Sequence, residues 1–176
     1  MGCDAGLYGT VVGAAGAAQG CAACAAGTYS TAQGLAGSCT PCDVGRYATG
    51  TGLQASGACT TCAAGTYSTG TGMRAAANCT ACAAGSYQSG VGAIACTPCL
   101  VGSYFGGTGA ASILQCVACP PSSSTLLAGA VAVAACVCVP SYAGPPAGPC
   151  TACGAGTYAQ VPPRASRAPN ARFARA

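Results

Sequence analysis

The sequence predicts a small disulfide-rich fold: an elongated tandem array of short loop and β-hairpin-like cysteine-rich repeats with little regular secondary structure. Three observations carry that expectation. The chain of 176 residues contains 17 Cys. Its Leu, Ile, Val and Phe together number only 22. One cysteine motif recurs over nearly the whole length. The 52% hydrophobic content comes mostly from Cys and from 42 Ala, so it does not describe a core of large side chains. Burial alone then falls short of the conformational entropy that folding removes. Covalent cross-links are the candidate remedy.

The repeat reads C-x-x-G-x-Y. It opens at Cys3, Cys24, Cys42, Cys62, Cys82, Cys99 and Cys153, and seven of the eight tyrosines stand five residues after such a Cys. A second glycine follows the tyrosine by five, at Gly13, Gly34, Gly52, Gly72, Gly92 and Gly109. The units then close with C-x-x-C, as in Cys39-Thr-Pro-Cys42, or once with Cys136-Val-Cys138. Unit starts fall at residues 3, 24, 42, 62, 82, 99, 119, 138 and 153, spaced by 15 to 21. Internal periodicity of this kind marks an array. Two units depart from it. Cys119 leads into Pro120-Pro-Ser-Ser-Ser with neither Gly nor Tyr in place, and Cys138 reaches Tyr142 one residue early.

Units this short leave no room for a helix pair or a parallel crossover, so the reading is two-stranded pieces and turns. The first glycine permits a positive φ or a close backbone approach. The tyrosine ring can cover a disulfide while its hydroxyl stays wet. The second glycine marks a turn toward the closing Cys. The longest apolar run, residues 126–139, is too short to span a bilayer and reads as a loop of the array.

The cysteines allow a sequential pairing in which each opening Cys bonds the next Cys along. Its pairs are Cys3 with Cys21, Cys24 with Cys39, Cys42 with Cys59, Cys62 with Cys79, Cys82 with Cys96, Cys99 with Cys116, Cys119 with Cys136 and Cys138 with Cys150. Cys153 is left unpaired because it opens a unit whose closing Cys the chain does not reach. Each closed loop of about 15 residues contributes roughly 3 kcal/mol in the chain-entropy account. A staggered pairing, such as Cys21 with Cys39 and Cys24 with Cys42, fits the spacing as well. Zinc is the chemical rival, with Cys21, Cys24, Cys39 and Cys42 as a four-thiolate site. The low charge and the lone Cys3 at the start weigh against it.

The charges exclude further classes. Asp4 and Asp43 are the only acids, and the chain has no Lys, His, Glu or Trp. General acid-base catalysis and nucleophilic triads need groups that this inventory does not hold, so the chain is not expected to be an enzyme. No residue set calls for a cofactor or metal. Arg164, Arg167, Arg172 and Arg175 fall beyond the repeats, whose Arg46 and Arg74 balance the two Asp. A nucleic-acid partner requires a basic face, and none is expected.

The motif resembles the ephrin-receptor-like cysteine-rich repeat, also called GCC2/GCC3, over residues 3–158. The likeness is closest over Cys116-Val-Ala-Cys119-Pro-Pro-Ser-Ser-Ser and Cys136-Val-Cys138-Val-Pro-Ser-Tyr142. The opening loops also resemble the first module of tumour necrosis factor receptor repeats. The resemblance implies a rod-like, disulfide-linked ectodomain, acting as spacer or protein–protein interaction module, whose partners are a protein ligand or neighbouring ectodomains. No kinase sequence follows, so kinase activity is not implied.

Met1-Gly-Cys3 enters the first repeat without an apolar leader, and no transmembrane stretch appears. Disulfides require an oxidising compartment. The expectation is an extracellular or cell-surface module from a longer protein, touching a membrane only through a segment outside these residues. An intracellular multi-zinc protein and a purely mechanical matrix or wall component are the alternatives. Asn78-Cys79-Thr80 is a glycosylation sequon. Residues 159–176 read as a disordered Arg/Pro/Ala tail.

Overall fold

The computed structural model describes residues 3–10, 20–31, 33 and 38–154. The tail at 159–176, Gly13, Gly34 and the Gly156 and Tyr158 of the last unit lie outside the described residues. Among the described residues there is no α-helix. Sixteen strands of two or three residues pair into eight antiparallel two-stranded sheets.

Every unit but the seventh, where Ser123–Thr125 pairs with Cys136–Cys138 itself, builds its hairpin in the same way. The two residues after the first glycine pair with the two residues inside the following C-x-x-C. Thr28–Tyr29 lies against Thr40–Pro41, Thr66–Tyr67 against Thr80–Ala81, and Ser103–Tyr104 against Val117–Ala118. A tight turn aims the first strand. In the second unit the backbone N–H of Thr28 donates to the carbonyl of Ala25 at 3.0 Å, and Gly27 in between has a φ of +82°. A turn that needs positive φ at its third position selects glycine there. The hydroxyl after the glycine reinforces it: Thr28 Oγ1 donates to the Ala25 carbonyl at 2.8 Å, and Thr66, Ser86, Ser103 and Ser123 repeat the bond in their own units.

The departing units keep this turn without its glycine. Ser122 and Ser141 occupy the first-glycine position at φ values of 59° and 73°. Ala147 stands five residues after Tyr142, at the second-glycine position, with a φ of 62°. These three are the only non-glycine residues with positive φ among the described residues.

The loops return to the closing Cys in two ways. Where the bonded cysteines are 17 residues apart, a single 3-10 turn precedes the closing Cys, at Ser56–Ala58, Ala76–Asn78, Ile113–Gln115 and Val133–Ala135. The shorter loop from Cys82 to Cys96, separated by 14, makes no such turn. The apolar run at 126–139 is accordingly more ordered than a plain loop: it contains the Val133–Ala135 turn and the strand Cys136–Cys138.

No layered core forms among the described residues. The largest fully buried side chains among them are Cys24, Cys42, Cys62, Cys82, Cys99 and Cys136. In one cluster Cys42, Cys59 and Ala48 are buried together, and Tyr29 and Leu53 pack on them. Tyr29 therefore covers a disulfide of the following unit, which ties two units through one ring.

Candidate functional site

The structure bonds each opening Cys to the next Cys along. The bonds are Cys3–Cys21, Cys24–Cys39, Cys42–Cys59, Cys62–Cys79, Cys82–Cys96, Cys99–Cys116, Cys119–Cys136 and Cys138–Cys150. Cys153 is free and partly buried. The staggered pairing is not the one found, and its reason is the hairpin register. Pairing Tyr29 with Thr40 and Thr28 with Pro41 brings Cys39 back beside Cys24. The zinc alternative is corrected by the same bonds, because Cys21, Cys24, Cys39 and Cys42 are all spent in disulfides and offer no thiolate. Among the described residues no group of three or more potential metal ligands gathers.

The units are joined by a backbone ladder that the sequence does not spell out. The first glycine's N–H donates to the residue after the next unit's tyrosine: Gly27 to Ala48, Gly45 to Ser68 and Gly65 to Gln88, at 2.7–2.9 Å. The second glycine's N–H donates back to the opening Cys of the previous unit: Gly52 to Cys24, Gly72 to Cys42 and Gly92 to Cys62, at 2.7–2.8 Å. The residue after the tyrosine donates forward again, as Ala48 does to Met73 at 2.9 Å.

The ladder reaches two units along. A Cβ placed on Gly45 would collide with the carbonyl oxygen of Gly92 and lie 2.6 Å from its carbonyl carbon. The same approach recurs for Gly6 with Gly52, Gly27 with Gly72, Gly65 with Gly109 and Gly85 with Gly129. Each opening turn is thus seated against the second glycine two units later. Gly102 breaks the series: its nearest neighbour is the Ser124 hydroxyl at 3.6 Å, and its N–H bonds the side chain of Thr125 at 3.0 Å rather than a carbonyl.

The polar residues are few. Arg46 Nη1 donates to the Cys59 carbonyl at 3.1 Å, so this cation supports its own loop. Arg74, Asp4 and Asp43 are exposed. Among the described residues the exposed large apolar side chains follow a different distribution: apart from Val44, all lie between Val91 and Val131. Leu114 is the most exposed of them at 89%, and Leu126 and Leu127 follow at 73% and 78%, beside a recess of about 410 Å³ that Thr125, Gly129, Ala130 and Ala135 help to line. No helix among the described residues is long and apolar enough to cross a membrane. Asn78 closes a 3-10 turn and is exposed.

Residues 70–116 match the family model described as tyrosine-protein kinase ephrin type A/B receptor-like. The matched stretch runs from the fourth unit to the closing Cys of the sixth. It ends where the stretch that reads as the closest resemblance, Cys116 to Tyr142, begins. An ephrin-receptor-like cysteine-rich stretch with this many disulfides fits an extracellular repeat domain. No curated protein matches the chain.

Proposed function

We propose that the chain works outside the cell or at its surface as a non-enzymatic scaffold, a spacer that presents protein-binding surface or separates neighbouring ectodomains. The observation that carries this reading is the union of eight disulfide-closed loops with the unit-to-unit backbone ladder. Loops closed by disulfides need an oxidising compartment to form and persist. A chain whose units are hydrogen-bonded one to the next keeps a fixed spacing without a hydrophobic core. The paucity of titratable side chains supports a role without chemistry, and the ephrin-receptor-like match supports a protein partner.

Two measurements test the reading. The chain is produced in an oxidising compartment, unfolded with chelator and without reductant, alkylated and weighed. One label is expected, at Cys153. Labelling of all 17 cysteines, with zinc released into the chelator, would overturn the extracellular reading. A screen of the folded array against cell-surface proteins then tests the partner: a saturable protein ligand is expected, and a purely mechanical wall or matrix role predicts none.

A further inference from the structure

The sequon Asn78-Cys79-Thr80 occurs once in the chain, and the fold handles its three residues unequally. Cys79 is partly buried and bonded to Cys62. Asn78 and Thr80 on either side of it are exposed. The Asn78 Oδ1 accepts the Ala75 N–H at 3.0 Å, which fixes the amide and leaves its Nδ2 on the other side of the group. Units three and seven carry Ala58 and Ala135 at the corresponding place in the same 3-10 turn. The turn forms there without a capping amide, so the fold does not require asparagine at residue 78.

We propose that Asn78 is an N-glycosylation site. In the transfer, Nδ2 forms a bond to the anomeric carbon of a polyprenyl-pyrophosphate-linked oligosaccharide. The bond from that carbon to the pyrophosphate oxygen breaks, the pyrophosphate leaves with the electron pair, and Nδ2 gives up one proton. The donor belongs to the secretory pathway, so the site rests on the extracellular reading. The glycan would sit on the closing turn of the fourth unit, inside the ephrin-receptor-like stretch and four residues after Arg74, the last charged residue before Arg164. A bulky hydrated group there lies at the border of the uncharged segment that exposes Val91, Ile94 and Leu100.

The full chain, carrying a signal peptide, is translated with sealed microsomes, and the membrane-enclosed product is weighed before and after peptide-N-glycosidase. A loss of one glycan mass is expected, with Asn78 converted to aspartate. Asn78→Gln and Thr80→Ala should each abolish the shift while the disulfides still form. An enclosed chain with one free thiol and no glycan would overturn the site and leave the extracellular reading intact. An enclosed, glycosylated chain whose cysteines stay reduced would support the site and overturn that reading.

Discussion

Replacing Gly45 by alanine should break the array at one joint, and replacing Gly102 in the same way should not. Both residues sit in the same turn with similar backbone, at φ values of 71° and 87°, so the strain of a Cβ at positive φ is shared. That strain costs about 1–2 kcal/mol for an L-residue, partly offset by the loss of glycine's freedom in the unfolded chain, about 0.4–1 kcal/mol. Gly102→Ala should therefore lose on the order of 1 kcal/mol, since its new methyl meets only the Ser124 hydroxyl at 3.6 Å. The Gly45 methyl instead runs into the backbone of Gly92, which cannot rotate aside as a side chain would.

Relieving that collision means parting the units. Three backbone hydrogen bonds hold them at this joint: Gly45 to Ser68 at 2.9 Å, Ser68 to Ala93 at 3.0 Å and Gly92 to Cys62 at 2.7 Å. At about 1 kcal/mol net each, their loss adds roughly 3 kcal/mol. Amide hydrogen exchange reads such local opening directly. A long array whose units contact only near neighbours has no single unfolding transition to compare. With about 1.4 kcal/mol per tenfold, the Gly92 and Ser68 amides should exchange roughly a hundredfold faster in Gly45→Ala. In Gly102→Ala the same amides should be unchanged. Equal protection of Gly92 and Ser68 in the two variants would refute the two-unit contact.

Other perturbations test other parts of the fold. Cys62→Ser should liberate Cys79 alone, with Cys82 still bonded to Cys96; a peptide map showing Cys82 freed and Cys79 bonded to Cys59 would contradict the sequential bonding. Tyr29→Ala strips the ring from Cys42 and Cys59 and should raise the rate at which a thiol reagent opens that bond several-fold relative to Cys99–Cys116, read by timed alkylation. Ser122→Gly removes a side chain from a φ of 59° and should stabilise the seventh unit by up to about 1 kcal/mol, seen as slower exchange at the Ser123 amide.

Much of the architecture is legible in the sequence because each unit's structure is local. The C-x-x-G-x-Y spacing states a turn followed by a strand, and the C-x-x-C states the strand that returns to it. Paired apolar faces are not needed to find them. The contacts between units are another matter. They run from one backbone to another, Gly52 N–H to the Cys24 carbonyl or the Gly27 α-carbon to the Gly72 carbonyl. Nothing in side-chain chemistry announces a backbone partner in the next unit or the one after it. The recurrence of two glycines per unit is the one available signal, and it reads equally well as ordinary turn propensity. The ring of Tyr29 shows the same limit: its disulfide-covering role follows from its chemistry, but the identity of the disulfide follows from the stacking.

The irregular units separate the two reasons for glycine. In the first five units the opening glycine must both hold a positive φ and admit the backbone of the unit two places on. At Gly102 the second demand lapses, because no carbonyl closes on it. One unit further, Ser122 meets the remaining demand, and Ser141 does so again. Ala147 takes the second-glycine φ, but its N–H bonds the Cys136 carbonyl at 3.1 Å instead of the opening Cys119. The eighth unit is therefore seated differently on the seventh than Gly52 seats the third unit on the second. A serine or alanine costs about 1–2 kcal/mol at such a φ, small beside a backbone collision and tolerable in a loop that its own disulfide closes. Where the motif degenerates, it does so at positions where the ladder has changed register, and the turn itself persists. The sequence departures at Cys119 and Cys138 thus mark the end of regular stacking rather than the end of the fold.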